Sequence, residues 1–174
     1  ILQNHLMDYI LLGLFILISA SLIRSGIKED QEKGVSIWKD RMIALIIFMI
    51  INISFWACFE QAGTSLTLFA DRNVDRVIFG WAMPASMTQF FNPFFIIVFG
   101  SIFSVMWVKL SKIGKNPSIP LKFCFGIVQL ALGFLVTKVG FQFVNESFQV
   151  PLLTLVFLYM LHTTGELFLS LIHI

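Results

Sequence analysis

The stretch FWACFEQAGTSLTLFADRNVDR, Phe55 to Arg76, begins as apolar helix and then sets Glu60 and Gln61 side by side. A carboxylate there means one thing on a water-soluble helix and another inside a lipid bilayer, so the surrounding composition decides. Of the 174 residues, 57% are hydrophobic, 20 are phenylalanine and only 13% are charged, with a mean hydropathy of +0.88. Soluble domains carry about 25% charged residues. The apolar residues fall in blocks: Tyr9–Ile23, Met42–Phe59, Phe94–Val108, Phe123–Val136 and Val150–Leu161. A spanning helix needs roughly 20 mostly apolar residues. All blocks but the second reach that length by recruiting polar shoulders such as Thr88-Gln89 or Gly165-Glu166. None has the polar face with which a soluble helix meets water. The expected fold is all-α, a polytopic bundle of about five membrane helices, with the lipid bilayer as its first partner.

The charges set an orientation. Arg24, Lys28, Lys33, Lys39 and Arg41 lie between the first two blocks, and Lys109, Lys112, Lys115 and Lys122 between the third and fourth. The other two loops hold Arg72, Arg76 and Lys138. This alternation follows the positive-inside rule, so the basic loops are expected in the cytoplasm, His5 outside and Ile174 inside, in a multi-pass protein of the cell (inner) membrane. No basic stripe of the kind nucleic acid requires is present. Residues 1–8 lack the basic region of a cleavable signal, and both ends look cut, as in a piece of a longer chain. Lys28–Asp40 reads as a polar linker, and Gly114–Pro120 as a tight turn with two helix-stopping prolines. Cys58 and Cys124 lack CxxC spacing and nearby histidine pairs, so they read as buried small hydrophobes; no metal site or cofactor is expected.

Eight acidic residues fall in loops or at helix ends, leaving Glu60 and Glu166 inside predicted spans. An ionised side chain at mid-bilayer costs roughly 2.5–3.5 kcal/mol on insertion scales, so such groups usually face a bundle interior or a watery cavity. A helix-end glutamate reaching the interface is the other reading of Glu60, about 28 Å of helix beyond Arg41. The neighbours favour the cavity. Asn52, Trp56, Glu60 and Thr64 (or Gly63) share one helical stripe, and Tyr159, His162 or Thr163, Glu166 and Ser170 another. Burial favours a protonated carboxyl and a nearby cation an ionised one. A group poised between them can be switched by a partner, as a proton-coupled carrier needs. Gln89-Phe90-Phe91-Asn92-Pro93 adds a break, because Pro93 removes a backbone donor and Asn92 can bond a ligand or the freed carbonyls. A helix start with proline in its first turn explains the same residues.

At these residues the chain resembles the proton-dependent oligopeptide transporters of the major facilitator superfamily. FWACFEQAGTSLTLFADRNVDR is similar to that family's seventh-helix segment, and QFFNPFFIIVFGSIFSVMW to its eighth helix with a Gln-x-x-Asn-Pro core. GKNPSIPLKFCFGIVQLALGF resembles the following cytoplasmic loop and ninth helix, and YMLHTTGELFLS the tenth. The resemblance covers about residues 42–170. It implies residues 1–24 as an extra inter-domain helix, 25–41 as a cytoplasmic linker and 42–174 as a partial C-terminal bundle. It further implies symport of di- and tripeptides with protons by alternating access, with this chain as an incomplete fragment. By matching position, Glu60 would take part in proton coupling and Trp56 would wall the peptide pocket. Asn92 would contact the peptide backbone or termini, Glu166 would hold the amino terminus and Ser170 would sit beside it. The missing N-terminal half of the same chain would supply the basic partners. Gly100-Ser101 departs from the family's Ala-Pro, and the tail after Ser170 (LIHI) departs from its proline.

Two other functions stay open. A family member could carry nitrate or another small solute. An intramembrane enzyme would need a nucleophile and base within reach. Cys58 and Glu60 point to different faces of one helix, and His162 with Glu166 lacks an accompanying catalytic signature.

Overall fold

The computed structural model of the protein describes residues 5–170, with side chains described for residues 7–169. Two compact units divide it, residues 1–54 and 55–174, the division falling within the second helix.

In the first unit, α1 (His5–Lys33) leads through a short turn to α2 (Trp38–Phe59). Lys28–Asp40, expected as a linker, is mostly helix. α1 runs on because its polar end supplies the four-residue pairs Lys28–Glu32 and Glu29–Lys33. Gly34, at φ +63°, lets the chain leave the helix. Asp30 then reaches across the turn, its carboxylate accepting from the backbone N–H groups of Ile37 (2.9 Å), Trp38 (2.8 Å) and Lys39 (3.0 Å). These donors open α2 and have no partner inside the helix, and a negative charge suits that end of the helix dipole.

The second unit holds the last turn of α2, a 3-10 turn at Glu60–Gly63, α3 (Ser65–Asn73), a 3-10 segment at Ala85–Phe90, α4 (Phe91–Lys112), α5 (Ile119–Gly140) and α6 (Leu152–Ser170). Strand β1 (Val74–Asp75) pairs in parallel with β4 (Val150–Pro151), and β2 (Val77–Ile78) pairs antiparallel with β3 (Trp81–Ala82). Of the two prolines in the α4–α5 turn, Pro120 opens α5 instead of stopping a helix; its missing N–H falls where helix donors are unpaired anyway.

α6 packs on both α4 and α5. Its tight face against α5 follows from a seven-residue recurrence, Gly126, Gly133 and Gly140. A β-carbon at Gly126 would strike Leu169, one at Gly133 the His162 ring, and one at Gly140 Thr154. Membrane helices gain little from hydrophobic burial against lipid and rely on such close backbone approach. Leu155 and Leu158, fully buried on α6, join Leu66 and Ala70 of α3, Phe95 of α4, and the β1–β4 contact Val74–Val150 in one core cluster.

Among the described residues, five stretches are long and apolar enough to cross a membrane: residues 7–33, 38–73, 85–112, 119–143 and 152–169. The second runs 36 residues, far more than a span requires. Their outward faces are apolar, which also corrects the reading of the cysteines. Cys58 and Cys124 are exposed, not buried. Against lipid, a small apolar side chain gains nothing by turning inward.

Candidate functional site

Two spans change their winding in mid-course. α2 passes into the 3-10 turn at Glu60, and the same span resumes as α3 at Ser65. Glu60 therefore stands where α2 gives way to the 3-10 turn, within one apolar stretch of 36 residues. Side chains re-satisfy the backbone groups that the break loosens. Gln61 donates to the Ala57 carbonyl (3.2 Å) and accepts from the Ser65 hydroxyl, and the Thr67 hydroxyl donates to the Ala62 carbonyl (2.8 Å). Irregular backbone at membrane depth is tolerated where it is supported this way or lines a cavity.

The second break precedes α4. Residues 85–90 wind as 3-10 helix before the α-helix begins at Phe91. Pro93 is its third residue and has no N–H for the Gln89 carbonyl. Both readings of this proline hold together: it sits in the first turn of an α-helix, and that turn follows a break within one span. Gln89 ties the breaks, its amide donating to Thr67 Oγ1 at 3.0 Å.

Between them lies an open cavity of roughly 510 Å3, within the usual range for small-ligand sites. Phe59, Glu60, Ala62 and Gly63 line it from the first break, Gln89, Phe90, Asn92 and Pro93 from the second, and Tyr159 from α6. One carboxylate, two amides and aromatic edges thus converge on it. Such a set can hold an ammonium group through Glu60 and hydrogen-bond an amide through Gln89 and Asn92.

The structure brings Glu60 and Asn92 to the same cavity, one from each break. Asn92 is held by α6: the buried Thr163 hydroxyl lies 2.8 Å from Asn92 Oδ1 and 2.7 Å from the Tyr159 carbonyl, sharing its proton between two acceptors. Glu166 follows one turn after Thr163 and stands off the cavity wall, half-buried. Its Oε2 is buried without a hydrogen-bond partner among the described residues, and it lies within electrostatic reach of Glu60. Trp56, one turn before Glu60, also stands off the wall, with its ring edge-on to Phe59 at 5.3 Å and to Phe55 at 5.7 Å. It is 37% exposed, so one side of the indole is open. The side chain of Ser170, and the tail beyond it, lie outside the described residues.

The α6 stripe divides. Tyr159 and Thr163 turn toward the cavity, whereas His162 turns to α5. Its Nε2 donates to the Leu130 carbonyl at 3.2 Å, and its ring packs on Gly133 and edge-on to Phe134. This is a helix–helix contact. Gln89 and Tyr159 line the cavity as well; the sequence placed them in the Gln-x-x-Asn-Pro stretch and on the α6 stripe but gave neither a role at the site. Gln89 carried a signal, since it stands three residues before Asn92 and so shares its face.

A family model described as PTR2: POT family matches residues 8–174. The peptide transporter YePEPT of Yersinia enterocolitica is 39% identical over 136 residues, which cover 76% of this chain and 27% of that protein. An uncharacterized transporter, YclF of Bacillus subtilis, is 35% identical over 140 residues, covering 80% of this chain and 28% of that protein. Among solved structures, a crystal structure of peptide transporter POT in complex with sulfate superposes with a TM-score of 0.82 at 30% identity, over 97% of this chain and 32% of that one. The chain therefore spans about a third or less of the length of the relatives it matches.

Proposed function

The chain belongs to the POT family, and from that premise we propose that it forms part of a symporter that moves di- and tripeptides with protons by alternating access. It is a multi-pass membrane protein with five candidate spans. The observation that carries the reading is the cavity between two broken spans, with Glu60 on one break and Asn92 on the other. Carriers bind substrate near the membrane midplane where helices are discontinuous, because the freed backbone groups and polar side chains can serve a ligand there.

In this reading the chain is the C-terminal part of a major-facilitator fold. Residues 1–24 form the extra helix, 25–41 the cytoplasmic corner and 42–174 one side of the binding cavity. Glu60 exchanges its proton for a cationic partner on the N-terminal half, which coupling requires of a carboxyl that is open to the cavity. Asn92, fixed by Thr163, hydrogen-bonds the peptide backbone or its termini. Glu166, with an unpartnered oxygen, takes the peptide amino terminus. Trp56, one turn from Glu60 and part-exposed, extends the pocket wall for the peptide beyond the cavity, and Ser170 stands beside Glu166. No enzymatic step is assigned to these residues.

The test uses the complete parent transporter in liposomes, with Glu60→Gln and Glu166→Gln beside wild type. Wild type is expected to concentrate dipeptide only under an inward proton gradient. Glu60→Gln is expected to lose driven uptake while still exchanging peptide across the membrane, and Glu166→Gln to raise KM for peptides with a free amino terminus. Mutants indistinguishable from wild type would remove both assignments. A wild type that ignores peptides but carries nitrate or another small solute would leave the fold and replace the substrate.

A further inference from the structure

Two phenylalanines, both at the end of the molecule away from the lysine-rich α4–α5 turn, hold backbone conformations that phenylalanine disfavours. Phe79 (φ +49°) and Gly80 (φ +81°) are the two central residues of the turn joining β2 to β3. A two-residue hairpin turn with both φ values positive is of type I′, whose preferred occupants are Asn-Gly and Gly-Gly. Phe148, at φ +58°, closes a second turn, its N–H donating to the Asn145 carbonyl at 2.9 Å. In this region the Cβ crowds the carbonyl oxygen, so a bulky residue needs compensation.

The described residues supply none. The Phe79 side chain is 105% exposed and that of Phe148 81%. Neither turn is loose. Arg76 fixes the base of the hairpin, donating from Nη1 to the Met83 carbonyl and from Nη2 to Asp71 Oδ1 (2.9 Å). Asn145 fixes the second turn. Its Oδ1 accepts from the N–H groups of Ser147 and Gln149, and its amide donates to Asp75 at 3.3 Å. The β1–β4 pairing, Val74 opposite Val150, holds the two turns at the same end of the unit. Rigid scaffolds thus present two aromatic rings outward at a conformational cost.

We propose that these two turns are a membrane anchor, and that their rings insert into the headgroup–acyl boundary of the leaflet on that side. The occupant is lipid because each turn leads into an apolar candidate span whose start is itself exposed, at Phe94 after the hairpin and at Leu153 after the second turn. Exposed Trp81 on the hairpin adds the residue type that membrane interfaces enrich. Transfer of the rings out of water offsets the strain that the described residues leave uncompensated, and fixes the depth of this end in the bilayer.

Site-directed spin labelling of the parent transporter, freed of its native cysteines and reconstituted in phosphatidylethanolamine–phosphatidylglycerol liposomes, tests this. Phe79→Cys and Phe148→Cys carry the nitroxide at exposed positions where folding is not challenged, and Glu146→Cys, exposed in the same turn as Phe148 but naturally charged, serves as the aqueous reference. At positions 79 and 148 collisions with apolar oxygen are expected to exceed those with the water-soluble nickel chelate NiEDDA, and at 146 the order is expected to reverse. NiEDDA dominating at 79 or 148 would place that turn in water and overturn the anchor. Exclusion of both relaxants would show that protein, and not lipid, covers the rings, and would overturn it equally.

Discussion

At the scale of single residues, the contact most open to test is the one between Gly133 and His162. A β-carbon at position 133 runs into the imidazole, which itself is 1% exposed and bonded to the Leu130 carbonyl. Gly133→Ala is therefore expected to destabilise the protein by about 1–3 kcal/mol, the usual cost of overpacking, read as a lower thermal midpoint in detergent. His162→Ala should remove the clash, so the double variant should lose less than the two single changes summed, which a double-mutant cycle reads directly. Gly100→Ala is the control: nothing stands within 4 Å of its added carbon, and alanine is the better helix former by up to about 1 kcal/mol, so its midpoint should hold or rise. A second residue-scale prediction concerns Thr163. Thr163→Val keeps the shape and removes the hydroxyl that fixes Asn92. An interhelical hydrogen bond in a membrane protein averages about 0.6 kcal/mol, so the midpoint should barely move. If Asn92 serves the peptide, KM for dipeptide should rise while the protein stays folded; an unchanged KM would separate Asn92 from binding.

At the scale of elements, the α1–α2 corner shows how an unremarkable charge can organise a helix. Asp30 satisfies three opening N–H groups of α2 at once, so Asp30→Ala should lower the thermal midpoint, as loss of an N-terminal cap does. Glu29, in an exposed pair with Lys33, is the contrast: Glu29→Ala should change stability by less than about 1 kcal/mol. Midpoints of the two variants measured side by side check the difference. Nothing in the sequence near Lys28–Asp40 distinguishes these two acids, because the donors that Asp30 serves lie seven to nine residues away across a turn. The spans were legible for the opposite reason. Blocks such as Met42–Phe59 stand out against any soluble composition, and the five candidate spans contain all five blocks apart from the Val150–Pro151 edge of the last. The breaks were only half legible. Asn92-Pro93 announced one through a missing donor, but the turn at Glu60–Gly63 did not, since 3-10 and α winding hardly differ in side-chain pattern over four residues. The same contrast governs the site. Glu60 was visible because a carboxylate in lipid is costly, and the structure sets it on the cavity with Asn92. Tyr159 was visible on the α6 stripe but was given no role, since one more aromatic ring carries little signal in a chain with 20 phenylalanines.

At the scale of the whole molecule, cover is uneven. In the most apolar window of each span, 56% of α6 is buried but 6% of α1 and 11% of the α2–α3 span. Lipid can cover the apolar remainder at no cost. It cannot cover Glu60 and Gln89, which are exposed on the cavity rim, because a carboxylate facing hydrocarbon costs roughly 2.5–3.5 kcal/mol or more. The open side of the cavity thus calls for a polar counterpart, which under the proposed function is the other half of the fold. It follows that the 174 residues alone should insert in a membrane yet fail to accumulate peptide, whatever the proton gradient. Liposomes containing this chain by itself, compared with liposomes containing the complete parent, decide the matter through uptake of a labelled dipeptide under an inward proton gradient. Accumulation by the parent and background leak from the chain alone would mean that one wall of the site is here and the other is elsewhere. Gradient-driven accumulation by the chain alone would mean that copies of this unit complete the cavity for one another, and the assignment of the missing wall to an N-terminal half would have to be given up.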